Sequence, residues 1–217
     1  MRTRTAAVAF SLTAVTLCAG IASGGLSWAD STTAGSTTAD SATADAPVTA
    51  SHGSRDPMRL VDRSPDLVRP KALTVDGSLS ERRARQEIRL AQQLYTFWHT
   101  GRTSYLKAAV SPDFKDNTLP PGRPQGPAGP AFASKNFRAA VPDLTCELSD
   151  LLITGDKITA RLVFRGTFTG TFDGVKGKGQ KVEFNAIDIQ HVGKKQIVED
   201  WHIEDNQTLL AQLGVKG

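Results

Sequence analysis

The chain has 217 residues, a formal charge of +4 at pH 7 and two cysteines. Its length allows one or two domains, and two cysteines are too few for a framework of several disulfides. The excess positive charge does not indicate nucleic-acid binding, because the basic stretch 174–180 has no interleaved aromatic residue.

The N-terminus carries an export pattern. Arg2 and Arg4 precede an uncharged apolar run over 6–22, and small residues at Ser27 and Ala29 follow. This order is typical of a secretory signal peptide, so we predict cleavage near Ala29 and a secreted protein. An uncleaved membrane anchor is the alternative, although the apolar run is short for a span. After cleavage only Cys146 remains, which leaves no internal disulfide.

Residues 30–77 are predicted to be a linker. From 30 to 50 the chain is Ser, Thr, Ala and Asp with almost nothing apolar, a composition that cannot offset the entropy of ordering. The stretch from His52 to Asp76 is more mixed, and we expect it to be loosely or partly packed. The folded domain is predicted over 78–217.

Three helices are predicted at the start of this domain. Ser78-Leu79-Ser80-Glu81 matches a capping box, and the helix that follows should end at Gly101. Shorter helices are predicted near 103–110 and 131–140. Between them, the proline-rich stretch 116–130 favours a functional loop or a lid. The first helix has one face at helical spacing that suits a core or pocket wall, formed by Ala84, Ile88, Ala91, Tyr95 and Trp98.

The rest of the domain reads as sheet. Strands are predicted at 145–154, 157–171, 181–192 and 196–205, followed by a short helix at 207–213. Helices followed by a run of antiparallel strands indicate an α+β fold.

The last hairpin carries the candidate chemistry. Its odd-numbered face is the more apolar one and is expected to face the helices, with Trp201 opposite Ile187. Asp205 lies on that face near Glu183, and a carboxylate at the edge of an apolar surface can have a raised pKa and transfer protons. The alternative is that Asp205 only caps the closing helix. His202, on the even face, should point away from the pocket.

Other catalytic patterns are missing from the sequence. No histidine lies at metal-ligand spacing from another, and the glycine-rich stretch 174–179 lacks the Gly-Lys-Ser/Thr ending of a phosphate loop. There is no Gly-x-Ser-x-Gly elbow either.

An ordered series of short motifs resembles a known family. It resembles the SnoaL-like ester cyclases of the nuclear transport factor 2-like superfamily, which also contains ketosteroid isomerase. The motifs cover roughly 80 to 215, and they are Pro142-Asp143-Leu144, Gly155-Asp156-Lys157-Ile158, Gly166-Thr167-Phe168-Thr169-Gly170, Ala186-Ile187-Asp188-Ile189, Ile197-Val198-Glu199-Asp200-Trp201, Asp205, and Leu209-Leu210-Ala211-Gln212-Leu213-Gly214.

The resemblance implies a cone-shaped, curved antiparallel sheet wrapped by about three helices around an apolar pocket. It also implies ring closure of a hydrophobic small molecule by aldol chemistry, without metal or cofactor, with an aspartate as general acid/base. We assign that role to Asp205. The pocket is expected to be formed by Trp201, Asn185, Asn117, Ile187, Tyr95 and Trp98.

Two departures leave other functions open. Phe168 stands where the family usually has His, and Asp116-Asn117 stands where Asp-His is frequent. With the export signal, these departures favour a second hypothesis, a secreted binding module without catalysis. A third hypothesis is a homodimer formed through the outer face of the sheet.

Overall fold

The computed structural model describes residues 56–215. Within this range the helices are α1 (Glu81–Thr100), α2 (Thr103–Ala109), α3 (Ala128–Ala140) and α4 (Asn206–Leu213), preceded by a 3-10 turn at Pro57–Leu60. The strands are β1 (Ala72–Val75), β2 (Val110–Asp116), β3 (Thr145–Thr154), β4 (Lys157–Phe168), β5 (Thr171–Phe172), β6 (Val175–Lys176), β7 (Gln180–Val192) and β8 (Ile197–Glu204).

Six strands form one open sheet in the order β1-β3-β4-β7-β8-β2, and β5 and β6 form a separate ribbon. The four central strands, β3, β4, β7 and β8, are antiparallel to one another, as predicted. The two edge strands were not predicted, and each runs parallel to its neighbour. The α+β class is confirmed, and the sheet is a mixed one.

Helix α1 forms one wall of the core. Ala84, Ile88 and Tyr95 on its predicted apolar face are almost completely buried. The helix ends at Gly101, whose φ of 75° lies in the left-handed region that favours glycine. Its cap is Ser80, which accepts a hydrogen bond from the Arg83 amide. The helix cap therefore lies two residues after the predicted Ser78, and the predicted capping box is wrong because Arg83, not Glu or Gln, stands three residues after Ser80.

The packed region begins before the predicted boundary at Ser78. Leu60 and Val61 are buried in the main core, and Leu73 of β1 pairs with Leu151 of β3.

The predicted signal peptide and most of the predicted linker lie outside the described residues. Within 56–215, no helix has the length and hydropathy needed to cross a membrane.

The last hairpin is oriented opposite to the expectation. The Gly193 amide donates a hydrogen bond to the Gln196 carbonyl and closes the turn. Val198 is an extra residue in β8 that shifts the strand pairing, so Trp201 lies opposite Ile189 rather than Ile187. The even-numbered residues of β7 face the core. Odd-numbered apolar residues on the far side of the extra residue from the turn are exposed, with exposed fractions of 41% for Ile187, 37% for Trp201 and 75% for Ile203, whereas Ile197 next to the turn is buried.

The physical reason for this error is that the inward face carries polar groups. Asp188 and Gln190 are buried beside apolar neighbours such as Phe184 and Ala186. Counting apolar residues therefore favoured the wrong side of the hairpin.

Candidate active site

The inward face of the sheet brings three aspartates and a histidine together. Asp188 of β7 lies opposite His202 of β8, and the next row of the sheet places Gln190 opposite Asp200. The parallel edge strand β2 then places Asp116 beside Asp200. Strand alternation puts all these side chains on one face, because they occupy even positions in a paired register.

Asp188 is buried and hydrogen-bonded to helix α1. Tyr95 donates a hydrogen bond of 3.1 Å to its Oδ2, and Gln190 Nε2 donates one of 3.0 Å to the Tyr95 hydroxyl. Burial raises the pKa of Asp188 to about 6, although His202 and the Tyr95 bond favour the charged form. Asp188 therefore changes its charge close to neutral pH.

The surroundings of Asp200 also favour its neutral form. Its Oδ1 atom is buried without a hydrogen-bond partner, and its Oδ2 lies 3.8 Å from His202 Nδ1. Burial first, and then the negative charges of Asp188 and Asp116, raise the pKa of Asp200 well above its usual value. The pKa values of both acids are thus raised in one site, and raised carboxyl pKa values are a feature of acid–base catalysis at neutral pH.

The chain after β2 is tied to this cluster. Thr118 Oγ1 accepts a 3.0 Å bond from the His202 amide and lies 3.0 Å from Asp116 Oδ1, to which it donates. The Asn117 amide donates to the Asp200 carbonyl at 2.8 Å, and the Asn117 Nδ2 atom is buried without a partner. The start of the predicted functional loop is therefore part of the acid cluster.

A small interior cavity lies against the acids. Its volume is about 20 Å³, which is room for about one water molecule. Four of the eight lining side chains are buried and the other four are half-buried. We take the half-buried side chains as the side on which the cavity opens. The apolar lining residues are Trp98, Leu162, Phe164 and Ala186, and the polar ones are Asp188, Asp200, His202 and Glu204.

The predicted site residues divide into two groups. Tyr95, Trp98 and Asn117 lie at the interior cluster. Asn185, Ile187 and Trp201 are exposed on the opposite face of the sheet, so their expected place in the pocket wall is wrong. The reason is the orientation of the hairpin described above.

Asp205 is exposed and caps α4. Its side chain accepts a 3.0 Å hydrogen bond from the Thr208 amide, and this contact lowers its pKa. The expected apolar setting and raised pKa are therefore wrong, and the structure shows the capping contact that was the alternative. His202 also departs from expectation, since it points into the cluster.

Sequence reasoning missed Asp188, Asp200 and His202 as site residues. The available signal was polar residues at every second position of an otherwise apolar hairpin.

Phe168, the first departure from the family pattern, is completely buried in the core. Among the described residues, no group of His, Cys, Asp or Glu is arranged to hold a metal ion.

The fold and the cluster define an α+β protein with paired acids inside a cone-like sheet. The profile of the SnoaL-like polyketide cyclases matches residues 88–213, a stretch that contains both paired acids. The chain belongs to the SnoaL-like polyketide cyclase family. No curated protein sequence matches it.

Solved structures agree with this assignment. A candidate polyketide cyclase from Bacillus cereus is 46% identical, with a TM-score of 0.66, over 72% of this chain and 99% of that one. IdmH, a candidate polyketide cyclase from Streptomyces antibioticus, is 33% identical, with a TM-score of 0.54, over 60% and 99%. TsrD from Streptomyces laurentii is 25% identical, with a TM-score of 0.56, over 64% and 100%.

Proposed function

We propose that the protein is a cyclase-type enzyme that needs no cofactor and transfers protons on a hydrophobic carbonyl compound. The observation that supports this most strongly is the pair formed by Asp188 and Asp200. Burial raises the pKa of both acids, to about 6 for Asp188 and well above its usual value for Asp200. A base and an acid therefore share one apolar-walled site.

In the proposed reaction Asp188 is the base. At pH 7 it is mostly ionised, and it takes a proton from a carbon next to a carbonyl group. Asp200 donates a hydrogen bond to the oxygen of the resulting enolate. The enolate carbon attacks a second carbonyl in the same molecule, which forms the ring. The new alkoxide then takes the proton from Asp188, so the enzyme returns to its starting state.

The cavity must widen for such a substrate. A volume of about 20 Å³ admits nothing much larger than water, so the half-buried side has to open. Trp98 and Glu204 are lining residues on that side. The proposal includes a rearrangement of these side chains on substrate binding.

Hydrogen–deuterium exchange tests the proton transfer without knowledge of the substrate. The protein is incubated in D₂O with aryl ketones such as 1-tetralone, and NMR follows exchange of the proton next to the carbonyl. We expect catalysed exchange that falls about 10²-fold or more in Asp188→Asn and in Asp200→Asn. Ligand binding without exchange in the unmodified protein would instead support the binding-module hypothesis.

Two further proposals concern the setting of the enzyme. The N-terminal pattern supports export and cleavage near Ala29, which N-terminal sequencing of protein from the culture medium tests.

The exposed apolar face of the sheet supports a homodimer, because monomers rarely expose a contiguous apolar patch of this kind. This patch consists of Leu152, Ile187, Ile189, Trp201 and Ile203.

A further inference from the structure

A second cavity lies between helix α3 and the junction of α1 with α2. Its volume is about 670 Å³, and none of its lining residues lines the interior cavity. Ala131 and the half-buried Phe132 provide apolar surface on α3. We call this cavity the α3 groove.

The charged side chains that line the α3 groove are all positive. Lys135 and Arg138 lie one turn apart on α3 and both line it, and the lining contains no Asp or Glu. Within residues 56–215 neither cation forms an ion pair. A partly buried cation without a counter-charge favours an anionic ligand.

The guanidinium of Arg138 is only partly used by the protein. Its terminal nitrogens donate to the carbonyls of Leu144 and Trp98, at 2.9 and 2.5 Å. Its Nε is buried without a partner, and a Cβ at Gly101 would lie 2.9 Å from that nitrogen. The absence of a Cβ at Gly101 therefore allows the Arg138 side chain to lie directly against the backbone at the end of α1. Burial lowers the pKa of Arg138, in accord with a charge that no carboxylate offsets.

A second unused donor lies beside it. Ser134 is 2% exposed and lines the groove, and its hydroxyl has no hydrogen-bond partner. Buried polar groups are nearly always paired, so two unpaired donors in one wall need an explanation. An acceptor that enters the groove would satisfy both.

We propose that the α3 groove binds a small amphipathic carboxylate. The apolar part of the ligand rests on Ala131 and Phe132, and its carboxylate is directed towards Ser134, Lys135 and Arg138. A carboxylate suits the site because Ser134, Lys135 and Arg138 can all donate hydrogen bonds, and charge-assisted hydrogen bonds are the stronger ones. This site does not depend on the proposed function, because it shares no residue with the interior acids.

The test uses naphthalene-2-carboxylate as the probe and naphthalene-2-carboxamide as its uncharged match. In ¹H–¹⁵N NMR titrations of the whole chain we expect the carboxylate to shift the amide signals of Gly101, Ser134 and Lys135. The carboxamide should bind about tenfold more weakly, the loss expected when one charge-assisted contact is removed. Equal binding of the two probes, or shifts at Asp188 and Asp200 instead, would overturn the proposal.

Charge reversal at the groove provides the matched variants. Lys135→Glu changes an exposed residue and should weaken carboxylate binding about tenfold or more. Lys195→Glu makes the same change in the β7–β8 turn, which contacts the start of α1 through Arg83 and Gln86. That end of α1 is about 25 Å from Gly101, so binding should be unchanged. Equal affinities for Lys135→Glu and the unmodified protein would exclude the site, whatever the outcome of the exchange assay.

Discussion

Tyr95 of α1 donates a 3.1 Å hydrogen bond to Oδ2 of Asp188, and Gln190 donates to the Tyr95 hydroxyl. This short chain of bonds fixes one oxygen of the carboxylate. It also favours the ionised form of Asp188, so it partly opposes the rise in pKa that burial causes. The result is an acid that titrates close to neutral pH instead of one that stays protonated.

Replacement of Tyr95 by Phe should therefore raise the pKa of Asp188. We expect the acid limb of the exchange rate against pH to move upward from its midpoint near 6. Stability should fall by about 1–3 kcal/mol, because Gln190 Nε2 loses its buried partner.

Tyr105→Phe is the matched control, since it removes a tyrosine hydroxyl that binds the exposed carboxylate of Asp66. It should leave the acid limb in place. If Tyr95→Phe also left the limb in place, Tyr95 would have only a structural role.

Asp188 should make stability depend on pH in a defined direction. Its folded pKa, about 6, is above the ordinary value of 3.8. The contribution of Asp188 to the free energy of unfolding is therefore fully present below about pH 4 and falls as pH rises from 4 to 6. Above pH 6 the free energy of unfolding stays lower by up to about 3 kcal/mol. Asp188→Asn should remove this part of the dependence and raise the free energy of unfolding at pH 7.5.

Denaturant unfolding at several pH values measures this effect. Asp113→Asn, at an exposed position of β2, serves as the control and should unfold as the unmodified protein does. A loss of stability at pH 7.5 in Asp188→Asn would show that the ionised carboxylate stabilises the fold.

Asp205 should be dispensable for proton transfer. Asp205→Ala removes the cap of α4, so we expect a lower melting temperature with an unchanged rate of exchange. Asp205→Ser keeps a capping oxygen and should restore much of the melting temperature. A large loss of exchange in both variants would return the catalytic role to Asp205.

The exposed face of the sheet should hold two copies of the chain together. Ile203→Glu places a charge at the most exposed residue of the apolar surface, and in sedimentation we expect it to convert a dimer into a monomer. Ser104→Glu adds the same charge at an exposed position of α2 and should leave the dimer intact. A monomeric unmodified protein would contradict the homodimer proposal.

Local patterns predicted much of the fold. The apolar stripe of α1, the glycine at its end and the four central strands follow from spacing and turn residues. The edge strands β1 and β2 could not be predicted in this way, because their parallel pairing joins distant parts of the chain.

The candidate site was harder to predict for a related reason. Tyr95 and Trp98 were found because helical spacing places them on the core face. Asp188 and Asp200 were missed because a functional cavity puts polar side chains where a core would have apolar ones. Asp205 was predicted to be catalytic because it follows an apolar strand. It lies beyond the last residue of that strand, where its side chain caps α4.

Titration of the aspartate side chains tests the central claim most directly. Carboxyl ¹³C chemical shifts, assigned with Asp188→Asn, Asp200→Asn and Asp205→Asn, would follow each acid from pH 3 to 9. We expect a midpoint near 6 for Asp188, one well above the ordinary value for Asp200, and one below the ordinary value for Asp205. Ordinary midpoints near 4 for both Asp188 and Asp200 would contradict the assignment of the interior pair as acid and base.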